Sequence, residues 1–275
     1  MKNYIFLLTC LLMMVSANAQ KLKGSRVVTL APIETEAFDA LEVGNNIEVF
    51  LIKSDAPSIE IEADDNLHDA ISYNVSAGTL LLSASKDVSG FKKFSVKVFY
   101  NDSFKSITAK DEANVTATTD LVLSNVTATL TGSAKLYATV KSTEFTLKAD
   151  DKSKTEINLT SENTSIELSK NATLKGLIAS TKMTFDLYQK STANVEGDIT
   201  DLKLRLDNNA NFTGKNLTAI NADVTAEGYS NCSITATTNI IINAAGKSEI
   251  NITGEPKVEI KRFADSAVLA KKPAK

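Results

Sequence analysis

The single histidine of the sequence stands in an acidic neighbourhood that could support chemistry. His68 follows Asp64 and Asp65 and precedes Asp69, and these residue types can bind a metal ion or form an acid–base pair. Histidine catalysis and histidine-built metal sites require partners in a fixed geometry around the ring. The spacing shows no further member of such a constellation. We therefore interpret His68 as a partly exposed polar residue.

Cys232 is a candidate nucleophile. It takes a position that other repeat units, described below, fill with small residues, chiefly alanine. A half-buried structural thiol explains this placement best, and an interchain disulfide is the minor alternative. The other cysteine, Cys10, lies in the predicted signal sequence, so we expect no intrachain disulfide in the mature chain.

Two pairs of adjacent aspartates, Asp64-Asp65 and Asp150-Asp151, are candidates for a carboxylate site. Polysaccharide lyases and hydrolases cluster such residues with a cation. Adjacent residues on a strand point to opposite faces, so a pair can act together only in a turn. A loosely bound calcium ion at Asp150-Asp151 stays an alternative. Neither a G-x-S-x-G motif nor a phosphate-binding glycine loop is present.

Three tyrosines, Tyr137, Tyr188 and Tyr229, occur in different repeats and could stack on one face as a platform for carbohydrate. Aromatic residues at repeat spacing more often fill a core or cover an end. We therefore assign no ligand-binding residue. We also predict no catalytic, cofactor-binding or metal-binding residue, and no cofactor.

The composition limits the class of partner. The 275 residues suffice for a sizeable core in one or two domains. Lysine and arginine number 30 against 33 acidic residues, so no overall basic field is available for nucleic acid. Tryptophan is absent and proline is scarce, while threonine, serine, asparagine and small apolar residues are abundant. This mixture favours many short strands joined by polar turns.

Residues 1–19 have the pattern of a secretory signal peptide. Lys2 precedes an apolar run from Tyr4 to Val15, and Ala17-Asn18-Ala19 forms a small-x-small cleavage site. We expect cleavage after Ala19 and export to the periplasm or the outer cell surface. No second long apolar segment follows, so we predict no transmembrane helix in the mature chain.

The elements that must position any site divide the mature chain into four parts. Residues 20–37 are an extended lead-in. Residues 38–103 alternate apolar and polar side chains, which is typical of strands with one buried face, with one short helix near Asp64 to Ile71. Residues 104–263 repeat, and residues 264–275 form a charged tail whose lysines and proline would discourage pairing at an open end.

In the repeat region a small residue is followed two positions later by a bulky apolar one. The bulky members recur after 16 to 22 residues, as a β-solenoid requires. The rival is an antiparallel sandwich, which also gives strands at short regular spacing, but the in-phase small residues favour the solenoid. The pairs are Ala113/Val115, Ala134/Leu136, Thr155/Ile157, Ala172/Leu174, Ala193/Val195, Ala210/Phe212, Cys232/Ile234 and Ser248/Ile250.

The chain resembles the bacterial family of “putative auto-transporter adhesins” with a head GIN domain. The likeness lies in the segments Phe38 to Val49, Ile59 to Leu67 and Gly78 to Leu82 and extends over residues 38–263. The resemblance implies an all-β, single-stranded, right-handed parallel β-helix without recognised catalytic residues. The turns carry Asn, Thr and Ala where many relatives have glycine-serine runs. No translocator barrel is expected after Phe263.

Together these features predict a non-enzymatic envelope protein that binds glycan, a surface protein or another copy of itself through a repetitive face. One alternative is a β-helix polysaccharide lyase or hydrolase, which needs three or more carboxylates, or carboxylates with arginine, converging on one face. The other is a periplasmic structural or sensory component.

Overall fold

The computed structural model describes residues 21–273, which are almost entirely β-structure. Strands pair in parallel from coil to coil, so the chain is a β-solenoid and the antiparallel sandwich is excluded. The predicted signal peptide lies outside the described residues. The right-handed sense of the coil stays a prediction.

The N-terminal third mixes parallel and antiparallel pairing. One 3-10 helix, Asp65–Ala70, lies where the sequence predicts a short helix. The strands are β1 (Leu22–Lys23), β2 (Val28–Glu34), β3 (Ala40–Val43), β4 (Glu48–Lys53), β5 (Ser58–Asp64), β6 (Ile71–Ser76), β7 (Thr79–Ala84), β8 (Val88–Ser89) and β9 (Phe94–Tyr100).

The repeat region begins with short strands and continues with long ones that pair along most of their length. The strands are β10 (Ser106–Ala109), β11 (Asn114–Ala117), β12 (Leu121–Val122), β13 (Asn125–Leu130), β14 (Lys135–Ala149), β15 (Lys154–Leu168), β16 (Thr173–Leu187), β17 (Thr192–Leu206), β18 (Asn211–Ala226), β19 (Asn231–Ala244), β20 (Glu249–Thr253), β21 (Lys257–Phe263) and β22 (Val268–Lys271).

Each long strand belongs to two sheets around one core. Strand β11 pairs with the first part of β14, and β13 pairs with its last part. The same division recurs at the other end, where β20 and β21 pair with the two halves of β19. We call the sheet of the first halves sheet 1 and that of the second halves sheet 2. Alternate residues of both are buried, as in Lys154–Leu168.

Tight turns join sheet 2 of one coil to sheet 1 of the next. Each turn contains one residue with a positive φ between 55° and 73°, and the next residue's N–H bonds to the corresponding carbonyl one coil earlier. Two positions beyond the left-handed residue lies an Ala or Ser, which leaves room for the turn and is fully buried in every turn except the last, where Ala267 is partly exposed. The left-handed residues, spaced 18 to 21 positions apart, are Asp111, Gly132, Asp151, Lys170, Gln189, Asn208, Gly228, Gly246 and Asp265.

The register corrects the predicted phase of the bulky ladder. Thr155, Ala193 and Cys232 lie in the ladder predicted to be bulky, not in the ladder of small residues. Its members, in order, are Val115, Leu136, Thr155, Leu174, Ala193, Phe212, Cys232 and Ile250.

The predicted assignment of Thr155, Ala193 and Cys232 to the ladder of small residues is wrong for a physical reason. The inner wall of sheet 1 has two neighbouring ladders, and large and small residues alternate along each of them. Where one ladder is large, the position two residues on is small, and the next coil reverses the order. A Cβ on Gly214 would lie 2.7 Å from Cε1 of Phe212, so the glycine makes room for the ring. The pairs are Leu136/Ala138, Thr155/Ile157, Leu174/Gly176, Ala193/Val195, Phe212/Gly214 and Cys232/Ile234.

The N-terminal end of the core is closed. Antiparallel strands β5 and β2 extend sheet 1 beyond β9, and β6 extends sheet 2 beyond β7. The 3-10 helix connects these two edges, and its Leu67 and Ala70 are buried against the core. The segment expected to be a lead-in therefore contains β2, a strand of this closure.

The C-terminal end of the core is open. Val258, Ile260 and Phe263 continue the inner ladders of sheet 2, yet each remains about half exposed, at 45%, 51% and 48%. The segment expected to be a charged tail contains β22, which pairs in parallel with β20. The solenoid thus continues into residues 268–271.

Candidate functional site

One outward ladder of sheet 1 brings polar side chains from eight coils into a row. Because strands in a sheet lie about 4.8 Å apart, the row is roughly 34 Å long. It contains one aromatic ring and both signs of charge. Its members are Thr116, Tyr137, Glu156, Lys175, Asn194, Thr213, Ser233 and Asn251.

The row follows two concave cavities that meet at Asn194 and Glu196. The first has a volume of about 490 Å³ and the second about 610 Å³. A second outward ladder forms a wall, and its Leu177 is 55% exposed. We call this continuous depression the furrow. The wall consists of Thr139, Asn158, Leu177, Glu196 and Asn216.

The central polar groups of the furrow are available to a ligand. Within residues 21–273 the side chains of Tyr137, Glu156, Lys175 and Asn194 make no hydrogen bond or ion pair, although Asn216 Nδ2 donates to Glu196 Oε1 at 3.2 Å. Amides, hydroxyls, charges and one ring on a concave surface suit a polar, extended molecule.

Sheet 2 carries a comparable outward row whose amides are already engaged. Asn163 Nδ2 donates to Glu144 Oε1 at 2.7 Å. Further along, Asn221 Nδ2 donates to Asp201 Oδ1, and Asn239 Nδ2 donates to Asn221 Oδ1, both at 2.9 Å. These bonds join successive coils, so this row contributes to the stacking of the solenoid.

The furrow was missed in the sequence because its polar row becomes visible only with the correct phase. Glu156, Lys175, Asn194 and Thr213 follow one another at intervals of 19 residues. The stacked turns supply that period, since Asp151, Lys170, Gln189 and Asn208 recur at the same spacing. Aligning the chain on its turns would have revealed the row.

The acidic cluster around His68 is a structural joint. His68 Nε2 contacts Thr29 Oγ1 at 2.8 Å, on strand β2. Asp64 is fully buried and accepts backbone N–H bonds from Arg26, Lys92 and Lys93 at 2.7 to 3.3 Å. Burial alone would raise the pKa of Asp64, but the backbone donors hold it below its ordinary value.

The pair Asp150-Asp151 lies in a turn, where both carboxylates meet the same ammonium group. Lys170 Nζ, one coil further, lies 2.8 Å from Asp150 Oδ2 and 2.8 Å from Asp151 Oδ1. Ser169 Oγ also donates to Asp150, at 2.7 Å. Hydrogen bonds from Lys170 lower the pKa of Asp151, and the two carboxylates raise that of Lys170. A lysine therefore occupies the place considered for calcium.

Cys232 is fully buried in the inner wall of sheet 1, where its neighbours along the ladder are Phe212 and Ile250. Burial raises the pKa of its thiol to about 12. The reactive thiolate is therefore scarce at neutral pH, and the side chain acts as a small apolar residue.

The three tyrosines do not share a face, contrary to the platform considered above. Tyr137 lies in the furrow, whereas Tyr188 and Tyr229 lie in turns. Both rings in the turns make cation–π contacts. Arg205 Cζ lies 5.7 Å from the centroid of Tyr188, and Lys247 Nζ lies 5.3 Å from that of Tyr229. Only Tyr137 is placed to contact a ligand in the furrow.

Within residues 21–273 no three His, Cys, Asp or Glu side chains are grouped so that they could hold a metal ion. The carboxylates of the furrow, Glu156 and Glu196, lie two coils apart with Lys175 and Leu177 between them. Within residues 21–273, none of the helical structure has the length and hydropathy of a membrane-spanning helix.

Comparison with known proteins gives one family and several solved folds. The family model described as “Putative auto-transporter adhesin, head GIN domain” matches residues 37–158 and 152–256. No curated protein matches the chain.

Three crystal structures of Parabacteroides proteins share the fold. A “putative adhesin” from P. merdae is 18% identical, with a TM-score of 0.69 over 92% of this chain and 100% of its own. A “putative adhesin” from P. distasonis is 19% identical, with a TM-score of 0.68 over 91% and 100%. A “putative lipid binding protein” from P. distasonis is 15% identical, with a TM-score of 0.66 over 92% and 100%.

Proposed function

The chain belongs to the family described as “Putative auto-transporter adhesin, head GIN domain”, and on that premise we propose that it is a non-enzymatic protein of the cell envelope that binds an extended glycan along the furrow. The observation that carries this proposal is the contrast between the two outward rows. The amides of one outward row of sheet 2 bond to neighbouring coils, whereas within residues 21–273 the side chains of Tyr137, Glu156, Lys175 and Asn194 in the furrow have no partner.

A long, shallow furrow suits a repeating polymer better than a small molecule. Each coil offers one or two polar contacts, and a chain lying along the solenoid axis would meet several coils in succession. Contacts that are weak individually then add, because once one unit is bound the next is held close to its own site. Tyr137 and Leu177 supply apolar surface for the faces of sugar rings.

The proposal is tested by measuring binding of the purified protein to a panel of neutral and acidic polysaccharides with biolayer interferometry. Tyr137→Ala should weaken binding about tenfold, as loss of an aromatic contact does at interfaces. Tyr229→Ala is the matched control, because that ring is exposed in a turn outside the furrow. Equal effects of the two substitutions, or no binding to any polysaccharide, would contradict the proposal.

Export is the second part of the proposal and is supported by the signal-like residues 1–19. Protease treatment of intact cells, with a periplasmic protein as control, separates the two locations. Digestion of this chain while the control survives would support surface display and adhesion. Protection of both would favour the alternative of a periplasmic structural or sensory component.

A second candidate function, binding to an anionic lipid surface, is favoured by the open C-terminal end. Exposed Val258, Ile260 and Phe263 lie beside Lys257 and Lys261. Apolar side chains beside lysines suit the interface of an anionic bilayer, and one structural relative is described as lipid binding. Sedimentation with phosphatidylglycerol vesicles tests this candidate, and Ile260→Ser should weaken vesicle binding without affecting glycan binding.

A further inference from the structure

The two halves of the furrow differ in charge. The half around the cavity of about 490 Å³, which we call the central half, combines Glu156 and Glu196 with Lys175. Among the described residues, the cavity of about 610 Å³ that continues from it is lined by two lysines, Lys215 and Lys272, and one acidic residue, Glu196, at the junction. Hydroxyl and amide groups line the remainder, from Asn194, Thr213, Asn216, Ser233, Asn251 and Thr253.

A β-bulge places Lys215 at this cavity. The register between β17 and β18 shifts between Asn194 and Glu196, and against β19 the residues between Gly214 and Thr218 have no partner. Two contacts hold the looped segment in place. Leu217 is fully buried, and Thr235 Oγ1 donates to the carbonyl oxygen of Lys215 at 3.2 Å. Bulges redirect a side chain in this way at many binding sites.

Lys272 approaches the same cavity from the last described segment. Its backbone N–H donates to the carbonyl of Ile252 at 2.8 Å, immediately after β22 pairs with β20. Pro273 follows it in the cavity wall. Two lysines that are more than 50 residues apart in sequence thus line one concave surface.

Neither ammonium group is neutralised by a residue of the described chain. The ion pairs of residues 21–273 engage other lysines, such as Lys170 with Asp150 and Asp151. In residues 21–273 one carboxylate lines the cavity, that of Glu196, and it accepts a hydrogen bond from Asn216. The amides of Asn216 and Asn251 already donate to Glu196 and Glu249. Among the described residues, the lining therefore offers two ammonium groups against one carboxylate, with neutral donors from Asn194, Thr213, Ser233 and Thr253. This is the combination that holds an anionic group.

We propose that this end of the furrow binds an anionic unit of the ligand, a carboxylated or phosphorylated sugar, between Lys215 and Lys272. The inference rests on the proposed glycan-binding function and names its ligand class. The central half of the furrow contacts neutral units through Tyr137 and Leu177, and the lysine end selects chains that carry negative charge.

The test uses the full-length mature protein and pairs of probes that differ only in charge. Polygalacturonate oligosaccharides are compared with their methyl esters, and phosphomannan oligosaccharides with their dephosphorylated form. Wild-type protein should prefer the charged member of at least one pair. The pair with the larger preference identifies the anionic group as carboxylate or phosphate.

Lys215→Gln and Lys272→Gln should each weaken binding of the charged probe about tenfold, the loss expected for one hydrogen bond to a charged group. Binding of the neutral probe should not change. Lys203→Gln, an exposed lysine on sheet 2, is the matched control. All three side chains are exposed, so the variants should fold, and circular dichroism checks this.

The outcomes separate this inference from the proposal on which it rests. If charged and neutral probes bind equally, or if the preference for charge persists in the double variant, the lysine end does not select charged chains. The proposed glycan-binding function would still stand in that case, provided that Tyr137→Ala weakens binding. If no polysaccharide binds, the proposed function fails and this inference fails with it. The site is supported only if each of the two lysine variants loses the preference for the charged probe.

Discussion

Sheet 1 and sheet 2 consist of the same long strands, yet they differ in their inner walls and in the polar groups on their outer faces. Sheet 2 has large apolar residues along its central inner ladder, such as Leu147, Ile166 and Phe185, and bonded amides outside. Sheet 1 alternates large residues with smaller ones inside, and in the described chain it leaves a row of polar side chains from Tyr137 to Asn194 without a partner outside. One face can therefore carry bonds between coils on its outer surface while the other keeps polar groups for a ligand.

The largest effect should come from removing a ring of the sheet 2 wall. Phe185 is fully buried and packs edge-to-face on Phe212, with ring centroids 5.6 Å apart. Phe185→Ala should lower the free energy of unfolding by about 3–5 kcal/mol, because it leaves a cavity between the two walls. Urea unfolding measures the loss.

Glycan binding under native conditions should survive that substitution, because Phe185 does not line the furrow. The control is Thr184→Ala, which removes an exposed side chain next to it and should change stability little. A loss below about 1 kcal/mol for Phe185→Ala would show that this ring contributes little to the packing between the two walls.

The next effect concerns the buried carboxylate that closes sheet 1 at its N-terminal end. Asp64→Asn should lower stability at pH 7 by about 1.5–3 kcal/mol, because an amide cannot replace both charged acceptor oxygens. The pKa of Asp64 is lower in the folded chain than its ordinary value of 3.8. Its contribution is therefore complete above that value and is lost as the pH falls below it.

Urea midpoints of wild-type and variant protein at pH 7 and pH 3 check this sign. The difference between the two proteins should be large at pH 7 and should shrink at pH 3. Asp55→Asn, at an exposed aspartate outside the joint, serves as the control and should show little difference at either pH. A constant gap for Asp64→Asn would mean that the carboxylate charge does not stabilise the closure.

The alternating wall of sheet 1 should be sensitive to a single exchange and tolerant of a paired one. Gly214→Val places a side chain where Phe212 Cε1 now lies, 2.7 Å from the added Cβ, and should cost about 1–3 kcal/mol through overpacking. Adding Phe212→Ala reverses the order of large and small at this coil and should recover part of the loss.

A double-mutant cycle followed by thermal unfolding gives the coupling energy between the two positions. It should be favourable, since the second substitution vacates the space that the first one fills. Additive losses would show that the alternation of large and small residues is accidental. Leu204→Ala with Gly214→Val is a comparison pair, because Leu204 lies in the wall of sheet 2.

The sequence predicted the solenoid and missed the furrow, for a reason that lies in this alternation. A period near 19 residues survives in the turns because each needs a left-handed residue followed by a small buried one. In the inner wall, Leu174 and Val195 look like members of one ladder, yet they belong to two. Each pair of neighbouring inner positions keeps a similar total volume while its residue types change from coil to coil. The spacing of apolar residues alone therefore does not show which residues share a ladder.

The smallest effects distinguish the two outward rows directly. Asn221→Ala removes two bonds between coils of sheet 2 and should cost about 0.5–1.5 kcal/mol, with no change in glycan binding. Asn158→Ala lies in the furrow wall, where the side chain bonds to nothing in the described chain, and should leave the unfolding midpoint unchanged while weakening glycan binding. Measuring both properties for both variants gives a crossed pattern if the faces have separate roles. If Asn158→Ala affects stability as much as Asn221→Ala does, the furrow is part of the stacking and its polar groups are not reserved for a ligand.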